Sequence, residues 1–203
     1  MERPGLAVWH DFDSLPTASR IEVRTALQAE IPAIAAMARS MVPGVHIGEQ
    51  ALLQHYLHDD ECILMFVRQG RLLGGMAFLY LGERGLDALL AGELQPSHPD
   101  FSLLAGRQEQ VAGIYIWAIG ATGRGIAGLG KISAFLRRPR YFDANCYAQP
   151  STAAGRDLMI ATGFRPIASC QPDLWCYERP WKRQPAGIGA SSFSMGSISD
   201  ARY

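Results

Sequence analysis

Residues 111–136, VAGIYIWAIGATGRGIAGLGKISAFL, constrain this chain more than any other stretch. The apolar run 111–119 reads as a buried strand, a glycine-rich turn spans 120–125, and helical spacing begins near Ile126. A strand feeding a helix in this way starts a βαβ unit, which requires one parallel strand pair. The same junction leaves backbone N–H groups without partners at the positive end of a helix, an arrangement that suits phosphate oxygens. Glycine matters there because it reaches positive φ without strain and lets an anion approach the main chain. The plain alternative is a strand-to-helix turn that holds nothing.

The flanking segments can be read by periodicity. Residues 21–25 alternate like a short strand. From 29 to 41 the apolar positions Ile31, Ile34, Ala35 and Ala38 recur at helical spacing, with Pro32 in the first turn and Pro43-Gly44 ending the helix. A second helix is expected over 48–57, with Leu52, Leu53 and Tyr56 on one face. Residues 62–81 read as a hairpin turned at Gln69-Gly70. Between 82 and 110 the pattern weakens; Leu86, Leu89 and Leu90 suggest a short helix, and Pro96 and Pro99 impose loop. A strand over 141–148, a helix over 152–162 stopped by Gly163, and strands over 164–168 and 174–179 complete the order. The result is a mixed α/β class with a largely antiparallel sheet, one parallel pair and flanking helices. Residues 1–20 read as a leader, 21–180 as the domain and 181–203 as a disordered tail.

Composition narrows the function classes. The 203 residues carry a formal net charge of zero, which argues against a nucleic-acid binder that works by counterion release. Arg137, Arg138 and Arg140 form a local basic patch that suits a helix C-terminus. Cys62, Cys146, Cys170 and Cys176 lack the spacing of a zinc site and read as reduced thiols of a cytoplasmic protein. No apolar run reaches the length of a membrane span, and no secretory signal is legible. His55 and His58 stand one helical turn apart, but no third ligand is in view, so no metal is expected.

The element order, with a glycine-rich turn after the fourth strand, resembles the GNAT superfamily of acyl-CoA-dependent N-acyltransferases. Three stretches carry the likeness: RIEVRTALQAEIPAIAAMA (20–38), GRGIAGLGKISAFL (123–136) and STAAGRDLMIATGFRPI (151–167). The resemblance implies that the fourth strand splays from the fifth. Trp117, Ala118 and Ile119 would then offer main-chain groups to the pantetheine arm of acetyl-CoA or another acyl-CoA. Gly123, Arg124, Gly125, Ile126 and Ala127 would offer amides to its pyrophosphate, with Thr152 beside the cofactor. An amine acceptor would attack the thioester directly. Tyr147 and Glu109 are the candidate catalytic groups, and a homodimer is compatible with this reading.

The sequence also departs from the family pattern. Thr122 stands where Arg or Gln opens the pyrophosphate motif, and Met159 stands where a tyrosine often protonates the leaving thiolate. Two alternatives therefore remain: a GNAT-like protein that binds without catalysis, and a dinucleotide-binding module in which Asp143 would contact a ribose.

Overall fold

The computed structural model describes residues 20–41 and 48–182. All but the last residue of the leader read over 1–20, the Pro43-Gly44 stop and most of the tail read over 181–203 lie outside those residues. One seven-stranded sheet runs in the order β1-β2-β3-β4-β5-β7-β6. Its strands are β1 (Glu22–Thr25), β2 (Ile63–Arg68), β3 (Arg71–Leu81), β4 (Gly113–Ala121), β5 (Asn145–Ala148), β6 (Arg165–Pro166) and β7 (Trp175–Tyr177). Every neighbouring pair is antiparallel except β4 and β5. A doubly wound parallel sheet is thereby excluded, and with it the dinucleotide-binding alternative.

The helices are α1 (Ile31–Met41), α2 (Glu49–His58), α3 (Glu83–Ala91), α4 (Leu129–Phe135) and α5 (Ala153–Ala161). In α1 the buried Ile31, Ile34 and Ala35 share the face turned to the sheet. Just before it, Glu30 takes the Leu27 N–H and two hydrogen bonds from Arg24, closing the first turn. The β2–β3 hairpin turns through Gln69 and Gly70 with φ of 51° and 73°. Two successive positive φ values match the twist of the strands they join.

Residues directly opposite each other in the ladder share a face. Leu81↔Gly113, Leu79↔Tyr115, Ala77↔Ala118 and Gly75↔Gly120 lie on one; Tyr80↔Ile114, Phe78↔Ile116 and Met76↔Ile119 lie on the other. A Cβ on Gly120 would sit 3.1 Å from Met41 of α1, and one on Gly113 would sit 3.1 Å from Leu86 of α3. So α1 and α3 cover the first face. Phe66, Phe78, Tyr80 and Ile114 pack with Ile132 of α4, with Leu136 just after it and with Tyr141 on the second.

The strand expected over 141–148 forms only from Asn145. Tyr141 is drawn out of the ladder: its hydroxyl donates to Glu61 at 2.6 Å, its ring lies 4.6 Å from Tyr80, and Arg138 also pairs with Glu61. Arg140 meets Asp59 at 2.7 Å. Behind this segment the buried Arg179 donates to the carbonyls of Ala144, Leu136 and Tyr141. A guanidinium with several fixed donors can satisfy loop carbonyls that no strand reaches.

Residues 82–112 form an insertion between β3 and β4 rather than a tight turn. It opens with α3, ends that helix at Gly92 with φ of 78°, and returns to the sheet through Leu104, bridged to Leu81. Within α3, a Cβ on Gly85 would stand 2.0 Å from the Leu103 carbonyl oxygen. Alanine is the better helix former by about 1 kcal/mol, but overpacking against main chain costs up to about 3 kcal/mol. Gly85→Ala should therefore lower stability by about 2 kcal/mol, read as a fall in the urea midpoint; an unchanged midpoint would refute this packing.

The Arg24 hydrogen bonds hold the Glu30 carboxyl at about 2 against an ordinary 4.5. A carboxyl more acidic when folded stabilises the protein above its unfolded value and loses that contribution as pH falls through the folded one. Wild type should lose stability relative to Glu30→Gln between about pH 4.5 and 2, the window set by those two values. Parallel acid-denaturation curves would contradict the assignment.

Candidate functional site

The parallel ladder is short. It pairs Gly113↔Asn145, Ile114↔Cys146, Tyr115↔Tyr147 and Ile116↔Ala148, and ends there. Two local features end it. Pro150 has no N–H to extend β5. On β4 the register against β3 slips between Phe78 and Ala77, so that Trp117 has no residue opposite it. Such a bulge bends the strand that carries it. Beyond Ile116, β4 continues to Ala121 along β3 while β5 has stopped, so the two strands part. Trp117, Ala118 and Ile119 are half-buried along the parted edge.

The glycine-rich segment begins later than the sequence suggested. β4 runs to Ala121, so Gly120 lies in the strand, where its missing side chain makes room for Met41. Leu73, the extra residue on β3 opposite the β2 slip, presents its carbonyl to the Thr122 N–H at 2.7 Å and hydroxyl at 3.0 Å. Residues Gly123–Gly128 then form a 3-10 turn, and α4 proper starts at Leu129 rather than near Ile126.

That geometry divides the five expected phosphate amides. The Gly125 N–H donates to the Thr122 carbonyl at 3.0 Å, and Gly125 is buried against Leu73 and Ala121. A 3-10 turn uses the N–H of its fourth residue and those after, so Ile126 and Ala127 are drawn into the turn. Gly123 and Arg124 stand ahead of those bonds. Gly123 has φ of 54° and nothing within 4 Å of where a Cβ would be. Arg124 is exposed beside it.

The remaining candidates lie as follows. Thr152 caps α5, its hydroxyl accepting the Gly155 N–H at 3.0 Å. Met159, in the position expected of a tyrosine, packs with Ala148 and Trp175. Tyr147 is buried beneath α3, and desolvation pushes its hydroxyl up to about 12. It is therefore a proton-bearing phenol at any physiological pH, one residue before β5 stops. Glu109 is exposed, and its carboxylate accepts the Gly106 N–H at 2.8 Å. It precedes the first residue of β4, and four residues of strand, roughly 13 Å, separate that residue from Trp117. The structure does not bring Glu109 to the parting of the strands.

A group of rings stands at the same place, and it includes the His55 and His58 that the sequence sets one helical turn apart. His55 of α2 is only 2% exposed. Its ring lies 6.2 Å from that of Trp117 and 5.9 Å from Phe101, while His58 stacks on Phe101 at 5.0 Å. His55 Nε2 donates to the Pro96 carbonyl at 2.8 Å. Since a carbonyl only accepts, the proton of the neutral ring is on Nε2 and Nδ1 carries a bare lone pair. Burial lowers the His55 value below the ordinary histidine range, which favours that neutral form. Among the described residues, neither His55 Nδ1 nor the buried Trp117 Nε1 has a hydrogen-bond partner. The contact to Pro96 spans 41 positions of sequence, which no local pattern reports.

No group of three or more His, Cys, Asp or Glu among the described residues is placed to hold a metal. No helix among them is long and apolar enough to cross a membrane.

Comparison with solved structures agrees with the architecture. The chain is similar to the loading GNATL domain of CurA from Lyngbya majuscula, with a TM-score of 0.58 and 10% identity over 79% of this chain and 98% of that one. It is also similar to the PaiA N-acetyltransferase from Thermoplasma acidophilum in complex with coenzyme A, with a TM-score of 0.51 and 9% identity over 79% and 99% of the two chains. A third is N-acetylglutamate synthase from Neisseria gonorrhoeae, complexed with coenzyme A and N-acetyl-glutamate, with a TM-score of 0.52 and 14% identity. The match covers 79% of this chain but only 35% of that one. No family model matches the chain, and no curated protein matches its sequence. The protein has the GNAT fold, at sequence identities that establish the fold alone.

Because Thr152 caps a helix, Thr152→Ala should lower stability by about 1 kcal/mol, read as a fall in melting temperature; an unchanged melting temperature would refute the cap.

Proposed function

We propose that the protein is an acyl-CoA-dependent N-acyltransferase, moving an acetyl or other acyl group to an amine by direct attack. The observation that carries this reading is the parting of β4 from β5 after Ile116↔Ala148. An extended pantetheine arm carries amide groups of its own, and an unpaired strand edge is the surface that receives them. The edge at 117–119 continues into the turn whose first residues, Gly123 and Arg124, stand ahead of its hydrogen bonds. On this reading the diphosphate of an acyl-CoA would lie at one end of the edge and its thioester near Trp117.

The reaction then asks little of the chain. The amine nitrogen forms a bond to the thioester carbonyl and the carbon–sulfur bond breaks. One proton leaves the nitrogen and one is taken up by the thiolate, giving an amide and a thiol. N–H groups freed around the Trp117 bulge would stabilise the developing oxyanion. Tyr147, held as a phenol by its burial, would supply the thiolate's proton. The fold is compatible with a cytoplasmic setting and with a homodimer; the proposal requires neither.

A second reading, binding without catalysis, has specific support. Met159 occupies the usual place of the phenol and is packed into the core, where it has no proton to give a leaving thiolate.

Calorimetric titration with acetyl-CoA and a thiol-release assay across primary amines separate the readings. Wild type should bind acetyl-CoA and release thiol with at least one amine. Arg124→Glu reverses an exposed charge beside the diphosphate and should weaken binding about tenfold, less at high salt. Binding with no release would favour the second reading. No binding, or unchanged affinity in Arg124→Glu, would overturn this placement of the cofactor.

A further inference from the structure

In the parallel ladder, the rung after Ile116↔Ala148 would join Trp117 to Gln149. Gln149 is held instead by its side chain. Its Oε1 accepts the Tyr115 hydroxyl at 2.7 Å and the Gln171 Nε2–H at 2.9 Å, while its Nε2 donates to the Pro172 carbonyl at 2.6 Å. The Pro172 contact fixes which way round the carboxamide lies, because a carbonyl only accepts and so must face the amide nitrogen. Both lone pairs of Oε1 are then occupied, and the Tyr115 hydroxyl is the donor. Tyr115 is buried, and desolvation pushes its hydroxyl up to about 12, so this donor keeps its proton at physiological pH.

The partners on the far side of Gln149 are themselves fixed. Gln171 and Pro172 lie in the loop between β6 and β7. In that loop the Cys170 N–H donates to the Leu90 carbonyl of α3 at 2.9 Å. Asp173, with φ of 49°, accepts two hydrogen bonds from Arg156 of α5 and one from the Trp175 indole. A loop tied to two helices and to the adjoining strand cannot follow a moving strand end. One carboxamide therefore reaches from β4, through Tyr115, to a rigid loop on the β7 side of β5. It does so at the first residue past the ladder, where a main-chain rung would have drawn β5 against β4.

We propose that Gln149 is a positioning residue whose carboxamide braces the end of β5 at a set distance from β4, and so holds the gap open for the pantetheine arm of an acyl-CoA. The brace is a property of the sheet; its purpose rests on the acyl-CoA reading given above. Gln149 acts only through the strand it holds. With the brace in place the edge at 117–119 is already bare, and a ligand has no strand to order as it docks. Without it the Tyr115 hydroxyl is buried with no partner, the end of β5 is free to move, and binding has to set the gap.

The test compares variants by calorimetry with acetyl-CoA and by amide hydrogen exchange without it. Gln149→Leu is close in volume and removes all three hydrogen bonds. It should weaken acetyl-CoA about tenfold, the effect of a few side chains that must be ordered on binding, and speed exchange at the end of β5 (Tyr147 and Ala148). Gly85→Ala lowers stability in α3 without touching Gln149 and is the control; its affinity should stay within about twofold of wild type. Gln149→Glu gives a second readout and keeps the test decisive if Gln149→Leu does not fold. Its carboxylate still accepts from Tyr115 and Gln171 but repels the Pro172 carbonyl, whereas the protonated acid can donate to that carbonyl as the amide does. Its affinity, relative to wild type at the same pH, should therefore recover as pH falls from about 7 to about 5. Unchanged affinity or exchange in Gln149→Leu, an equal loss in Gly85→Ala, or a Gln149→Glu deficit that does not respond to pH would each overturn the brace. Wild type that binds no acetyl-CoA would overturn the acyl-CoA reading instead. Exchange alone then decides the brace: faster exchange in Gln149→Leu than in Gly85→Ala upholds it, and equal exchange ends it.

Discussion

The architecture turns on the premature end of one parallel ladder. β4 has nine residues and β5 has four, so more than half of β4 has no partner on that side. The mismatch arises from local chemistry. Pro150 removes the donor that β5 would need next, and the unpaired Trp117 bends β4 away. Thr122 then fastens the far end of β4 to the bulged Leu73 carbonyl through both its N–H and its hydroxyl. A strand edge pinned at both ends and bare in the middle is a stable feature, not a frayed one, and a ligand that brings its own amides can dock there without reordering the sheet.

The entry to β5, at the other end of that ladder, is built from long-range polar contacts. Arg179 satisfies three carbonyls of the segment entering β5. Arg140 and Asp59, with Glu61, Arg138 and Tyr141, tie the end of α2 to that same segment. His55 belongs to this class by position but differs in leaving one ring nitrogen unused. Because charges and hydrogen bonds inside a low-dielectric interior are strongly felt, that unused acceptor is a cost borne by the packing around His55.

Much of this was legible in the sequence. The alternation of β1, the apolar runs of the β2–β3 hairpin with Gln69-Gly70 between them, the spacing in α1 and α2, and the Thr152 and Gly163 boundaries of α5 each gave an element close to its observed bounds. The largely antiparallel sheet with one parallel pair followed from their order. Where the reading went astray, tertiary contact decided the outcome. Gly120 reads as turn because glycines punctuate loops, whereas it lies in β4, where its missing side chain makes room for Met41. Gly125 and Gly128 serve close packing, against Leu73 and Phe66 respectively. Tyr141 looked like strand until its hydroxyl and ring were claimed by Glu61 and Tyr80. His55 sits on the apolar side of α2 beside Leu52, and nothing nearby in sequence reveals the Pro96 carbonyl that orients it.

The central claim is that the parted edge of β4 receives the pantetheine arm of an acyl-CoA. A crystal structure of the protein grown with acetyl-CoA tests it most directly. The arm should lie along the main chain of Trp117, Ala118 and Ile119, with the diphosphate at Gly123 and Arg124. Density for the coenzyme elsewhere on the molecule, with the gap between β4 and β5 closed by side chains, would contradict it.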